Sequence, residues 1–166
     1  MINKINNLSE SEFIKVFANI FENAVWIAET LYKQKPFYDY EDLSSKMLDI
    51  FENTSKKNQI KILNAHPDLA DKTKISSLTQ DSIKEQNSAG LDQCTKKEFN
   101  EFKNLNNKYK KRFGFPFIYA VKDKSKIEIL SNFRQRLSYD INVEFNEAKK
   151  QVKKIASLRL NEINKK

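Results

Sequence analysis

A single histidine occurs in 166 residues. It is His66, in "NAHPDLADK" (64–72), directly before Pro67. Imidazole is the side chain whose ordinary pKa lies nearest neutrality, so it can both take up and release a proton. The residue before a proline is pushed out of the α region. A helix arriving from about Lys56, with Ile60 and Leu63 on its apolar side, must therefore run out at His66, leaving the ring free to turn into a cleft. The alternative for a lone histidine is a packed or capping residue. Further on, "SIKEQ" (82–86) places Ser82, Glu85 and Gln86 at i, i+3 and i+4 on one helix face, which Ala89 continues. A hydroxyl, a carboxylate and an amide beside a small residue can line a polar pocket; they can equally form a solvated face. Near the end, Ala148, Val152 and Ile155 step by four and three, and Arg159 takes the next place on that apolar stripe. A guanidinium there needs an acceptor, because burying an unpaired charge is costly. It is either a structural ion pair or snorkelling stem, or a fork that holds a carboxylate or a ring carbonyl.

Other chemistries find no support. With no second histidine and one cysteine, Cys94, a zinc set cannot be assembled, so no metal is expected. There is no glycine-rich phosphate loop, dinucleotide fingerprint or hydrolase elbow. Catalysis is expected to proceed without a bound cofactor, or the protein is not an enzyme. Cys94 excludes an internal disulfide and suits a reducing compartment. No stretch approaches the roughly 20 apolar residues of a membrane span, and "MINKINNLSESEF" has no long apolar core of a secretory signal. These features lead us to expect a cytoplasmic protein without a membrane partner. The net charge of +8 permits a basic helical nucleic-acid-binding module. The lysines are nonetheless spread along the chain among abundant glutamates, as on an ordinary solvated surface, and a helical scaffold without a site would share that composition.

The elements that must position these residues are helices. Two glycines and three prolines in 166 residues leave few breaks. Ser9 and Glu12 form a capping-box pattern ahead of Phe13, Val16, Phe17, Ile20 and Phe21, which recur at helical spacing. A second helix is expected over 24–32 and a third around Leu43, Met47, Ile50 and Phe51. Thr79 reads as an N-cap with Leu78 and Ile83 as its staple, and Gly90 as the residue that ends that helix. Thr95 and Glu98 form another capping box, ahead of Phe99, Phe102, Leu105 and Tyr109. "FGFPFIYAV" (113–121), interrupted by Gly114 and Pro116, reads instead as an extended buried segment over about 114–121. Two helices joined near Ser138–Asp140 complete the chain. The expectation is an all-α, single-domain bundle (1–166) of about eight helices.

"NAHPDLA", "LTQDSIKEQNSAGL", "KEFNEFKNLNNKYKKRFGFPFIYAVK" and "QVKKIASLRL" resemble, in order and spacing, the 2-oxo-4-hydroxy-4-carboxy-5-ureidoimidazoline (OHCU) decarboxylases of urate breakdown. The resemblance covers nearly the whole chain. It implies a cofactor-free, all-helical carboxy-lyase, commonly a homodimer, that forms (S)-allantoin and carbon dioxide and can act beside other urate-pathway enzymes. It implies His66 and Glu85 as catalytic residues. It also implies substrate contacts from Pro67, from Ser82, Ile83, Lys84, Glu85 and Gln86, from Phe117, Ile118, Tyr119, Ala120 and Val121, and from Arg159, with no nucleic acid involved. A related helical enzyme acting on another ureido or hydantoin ring shares most of these features. Two positions depart from the family pattern. Asp71 stands where a small residue is common, and Tyr119 interrupts a run that is often aliphatic. If Tyr119 acts through its backbone little changes; a ring in the pocket would alter substrate fit.

Overall fold

The computed structural model describes residues 1–71 and 79–165. Among them are nine α-helices and no strand: α1 (Ile2–Asn6), α2 (Glu10–Phe17), α3 (Val25–Tyr32), α4 (Tyr40–Asn53), α5 (Lys56–Ala65), α6 (Gln80–Ser88), α7 (Lys96–Phe113), α8 (Lys126–Arg136) and α9 (Ile141–Asn164). A 3-10 turn, Leu91–Gln93, follows α6. The expected all-α class holds. Leu78, half of the expected staple, lies outside the described residues. Among those residues no helix is long and apolar enough to cross a membrane.

The caps explain the boundaries. The side chains of Ser9, Thr79, Thr95 and Ser125 each accept the backbone N–H three residues on, and Glu12, Glu98 and Glu128 reach back to complete three capping boxes. Each such cap stabilises its helix start by about 1 kcal/mol. Gly90 (φ 73°) and Gly114 (φ 80°) end α6 and α7 in the left-handed conformation, where a side chain would be strained.

The chain forms two compact units, whose boundaries fall inside α5 and α9. The first comprises Met1–Ile62 and Lys153–Lys166. Its core is aromatic: Phe13 packs on Phe17 with ring centroids 4.6 Å apart, and Phe21 on Phe51 at 5.2 Å. The short α1, absent from the sequence expectation, carries Asn6, whose side-chain amide donates to the Phe37 carbonyl (2.8 Å) and accepts from the Phe37 N–H (2.9 Å). The expected stripe past Phe17 is only partly right. Helix α2 stops at Phe17, Val16 is 41% exposed, and Ile20 and Phe21 are buried from the turn that follows.

The second unit, Leu63–Val152, is built around Tyr109 of α7. The rings of Phe113, Phe115, Phe117 and Phe133 surround it at centroid distances of 4.6 to 5.9 Å, and Phe117 stacks on Phe133 at 3.8 Å. Residues 116–121 are neither helix nor strand, and apart from the half-buried Tyr119 they are buried, as the sequence predicts for that run.

Candidate active site

Most residues singled out by the sequence fall in the second unit. His66 follows the last turn of α5; its N–H donates to the Leu63 carbonyl (3.2 Å), and the residue is buried. The helix ends here because Pro67 disfavours α geometry for His66 and has no N–H to continue the ladder. After Pro67 the chain makes a turn in which Ala70 takes φ 59°, a conformation costing a non-glycine residue about 1–2 kcal/mol. Three side chains hold that turn. Gln86 accepts from the Ala70 N–H (3.0 Å) and donates to the Asp68 carbonyl (3.5 Å). Asn106 of α7 donates to the Leu69 carbonyl (3.0 Å). Lys110 pairs with the Asp68 carboxylate (2.5 Å). An N–H and C=O that no helix can satisfy must find partners elsewhere when buried, and here they fix the turn that opens with His66–Pro67.

Gln86 thus ties α6 to that turn, and Glu85 precedes it by one residue on the same helix. Ser82 is buried; its hydroxyl accepts from the Thr79 hydroxyl (3.0 Å). Ile83, Glu85 and Gln86 are half-buried, whereas Lys84 is exposed. Five consecutive helical residues cannot share one face, so the run 82–86 divides between an inner face bearing Ser82 and Gln86 and a solvated one bearing Lys84.

The non-helical segment carries the second group of predicted residues. Phe117, Ile118, Ala120 and Val121 are each at most 4% exposed. The Phe117 and Tyr119 rings lie 6.0 Å apart, the i, i+2 relation of an extended chain. Tyr119 therefore directs its ring along Phe117. Two of the segment's polar groups have partners the sequence did not reveal. The Ile118 carbonyl accepts from Nη1 of Arg136 (2.7 Å), and the Ala120 N–H donates to Oε1 of Gln151 (3.1 Å). Arg136 is in turn held by Glu144: its Nε lies 2.9 and 3.1 Å from the two carboxylate oxygens and its Nη2 2.5 Å from one of them. The Tyr109 hydroxyl donates to the same carboxylate. Burial first, and then the Glu144 hydrogen bond, push the Tyr109 pKa far above the ordinary phenol value. The signal for Arg136 was present: Ile129 and Phe133 step by four and Arg136 follows at three, the pattern that pointed to Arg159.

Arg159 lies in the first unit. It is 6% exposed and forms a buried ion pair. Nη2 meets Glu22 Oε1 at 2.9 Å and Nη1 reaches the carbonyls of Asn19 (3.0 Å) and Ile20 (3.4 Å). Those carbonyls are available because α2 ends at Phe17.

This arrangement offers one proton-transfer side chain in a firmly held turn, a carboxylate on the adjoining helix and a short run of non-helical backbone, all in the second unit. That equipment suits orientation and proton movement on a small polar molecule. A family model described as OHCU decarboxylase matches residues 6–161. A uric acid degradation bifunctional protein of Bacillus sp. (strain TB-90) is 40% identical over 98% of this chain and 32% of its own length. The 2-oxo-4-hydroxy-4-carboxy-5-ureidoimidazoline decarboxylase of Haloferax volcanii is 36% identical over 97% of this chain and 94% of its own. Among solved structures, an (S)-allantoin synthase superposes with a TM-score of 0.79 at 27% identity, over 98% of this chain and 54% of that one. An OHCU decarboxylase crystallised in the presence of (S)-allantoin shares the fold, with a TM-score of 0.74 at 20% identity over 90% of this chain and 97% of that one. This chain therefore spans about a third of the Bacillus protein and about half of the allantoin synthase chain.

Proposed function

The chain belongs to the OHCU decarboxylase family, and from that premise we propose that it converts 2-oxo-4-hydroxy-4-carboxy-5-ureidoimidazoline into (S)-allantoin and carbon dioxide in urate degradation. The observation that carries the activity is the family match over residues 6–161. The same match supports treating residues 1–166 as one functional domain.

The chemistry asks little of the protein beyond placement. When the bond to the carboxylate breaks, carbon dioxide leaves and the electron pair passes into the adjacent ring C=N. The ring nitrogen that receives the pair takes a proton from water, the hydroxyl proton is lost to give a ring carbonyl, and a proton reaches the neighbouring ring carbon from one side. The substrate supplies its own electron sink, so the protein's share is orientation and proton handling. His66 takes the hydroxyl proton and returns one to the ring carbon. Glu85 orients the imidazole and the substrate. Pro67 and the inner face of the 82–86 run bound the ureido side. The backbone of 117–121 meets the flat ring edge. Gln86 also holds the His66 turn, a role the hydrogen bonds to Asp68 and Ala70 support.

The activity is tested on freshly generated substrate by following optical rotation. (S)-Allantoin must form faster than the racemic background; a racemic product at the spontaneous rate defeats the assignment. We also take the enzyme to be a cytoplasmic homodimer working beside other urate-pathway enzymes, and sedimentation giving a monomer mass would remove the dimer.

A further inference from the structure

The 117–121 segment has two edges, and side chains from α8 and α9 occupy one of them. In an extended chain the N–H and C=O of one residue point to the same side, and those of the next residue to the other. The Ile118 carbonyl is taken by Arg136 and the Ala120 N–H by Gln151, both on one edge. On the opposite edge the Val121 carbonyl accepts from the Lys124 N–H (3.0 Å). Among the described residues, the Tyr119 N–H and C=O have no intramolecular hydrogen-bond partner. Gln151 is itself fixed: it is 8% exposed, and its Nε2 donates to Glu147 Oε1 one turn earlier on α9 (2.7 Å). Arg136 is fixed by Glu144 and lies over the Phe117 ring, 4.5 Å from its centroid.

From this geometry we infer that Gln151 and Arg136 are positioning residues for substrate recognition. By holding the 118 and 120 groups on one edge, they turn the Tyr119 N–H and C=O toward the substrate as an adjacent donor and acceptor. An adjacent donor and acceptor complement a planar ring bearing –NH–C(=O)–, which offers a donor beside an acceptor in return. A ring lacking that amide pairs poorly. The inference rests on the reading of 117–121 as substrate-contacting. It adds which residue of the five does the reading and what aims it.

Gln151→Met keeps the side-chain length but removes the acceptor for the Ala120 N–H. Ring-edge contacts exist in both the bound substrate and the transition state, so their loss falls on KM. We expect KM to rise about tenfold, the scale of one displaced hydrogen-bonding pair, while kcat changes by less than about threefold. The paired variant Glu147→Gln/Gln151→Glu exchanges the partners, keeps an acceptor for the Ala120 N–H, and should return KM to within about twofold of the starting value. Both are read beside thermal melting, and Gln151→Asn takes the place of Gln151→Met under the same reading if the latter does not fold. As an independent readout, adding (S)-allantoin should slow amide hydrogen exchange at Tyr119 in the unmodified protein.

An unchanged KM in Gln151→Met, a fall in kcat alone, failure of the paired variant to restore KM, or no change in Tyr119 exchange under (S)-allantoin concentrations that inhibit turnover would each overturn the inference. Absence of stereoselective turnover in the unmodified protein is a different result and counts against the proposed activity.

Discussion

Arg136 and Arg159 are both buried, both continue an apolar helical stripe and both pair with a glutamate, yet they sit in different chemical settings. Arg136 meets Glu144 eight residues on, across the corner from α8 to α9. The same carboxylate receives the Tyr109 hydroxyl, and the remaining guanidinium nitrogen anchors the Ile118 carbonyl. It is a node at the centre of an aromatic cluster. Arg159 reaches back 137 residues to Glu22 and to two carbonyls of the turn after α2, joining segments from opposite ends of the chain. An apolar stripe that ends in arginine therefore predicts a buried partner, but does not say whether the guanidinium serves the scaffold or a ligand. The partners decide that.

The largest effect should come from breaking the Arg136 node. Glu144→Ala strands a buried guanidinium and should cost about 3–5 kcal/mol, measured by denaturant unfolding. A loss under about 1 kcal/mol would show that the node does not carry the second unit. His66→Ala sharpens the contrast from the side of the chemistry. Turnover of fresh substrate should fall at least about a hundredfold, with the melting temperature retained; near-normal turnover removes His66 from the mechanism. Arg159→Lys keeps the charge and loses the planar fork. If Arg159 contacts substrate, KM should rise about tenfold, the scale of a charge-assisted hydrogen bond, and an unchanged KM would limit Arg159 to its ion pair with Glu22.

The smallest effect is on alkaline stability. Burial pushes the Tyr40 pKa up from 10.0 to about 12 in the folded chain, where its hydroxyl donates to the Leu160 carbonyl. The folded state thus keeps a proton that the unfolded state releases, so stability is full below pH 10 and declines as pH rises from 10 to about 12. Tyr40→Phe should flatten part of that decline in denaturation midpoints, and the raised pKa of Tyr109 should keep the rest. An identical slope in the variant would exclude Tyr40 as a contributor.

Much of this protein was legible in its sequence because the signals are local. A serine or threonine three residues before a glutamate satisfies helix-end N–H groups wherever it occurs, which is why Ser9 and Thr95 marked true helix starts. Gly90 and Gly114 marked true ends because a residue with a Cβ is strained in the left-handed conformation they adopt. The break at His66–Pro67 followed from proline, and the buried irregular run over 116–121 from its apolar residues beside Pro116. Where tertiary contacts compete with periodicity, the sequence reading went astray. The stripe beyond Phe17 continues in the sequence although α2 stops there, and α1 carries no pattern of its own, only Asn6 meeting Phe37.

The sequence by itself determined most of the helices, several of their ends, the irregular buried run and the residue types able to move a proton or hold an oxygen, because each depends on neighbours within one or two turns. Only the tertiary structure decided which partner each of those residues has. That Gln86 grips the turn after His66, that Gln151 and Arg136 take one edge of 117–121, and that Glu22 receives Arg159 are pairings across 16 to 137 positions. A hydrogen bond is a relation between two groups in space, and no local pattern around either one encodes the other.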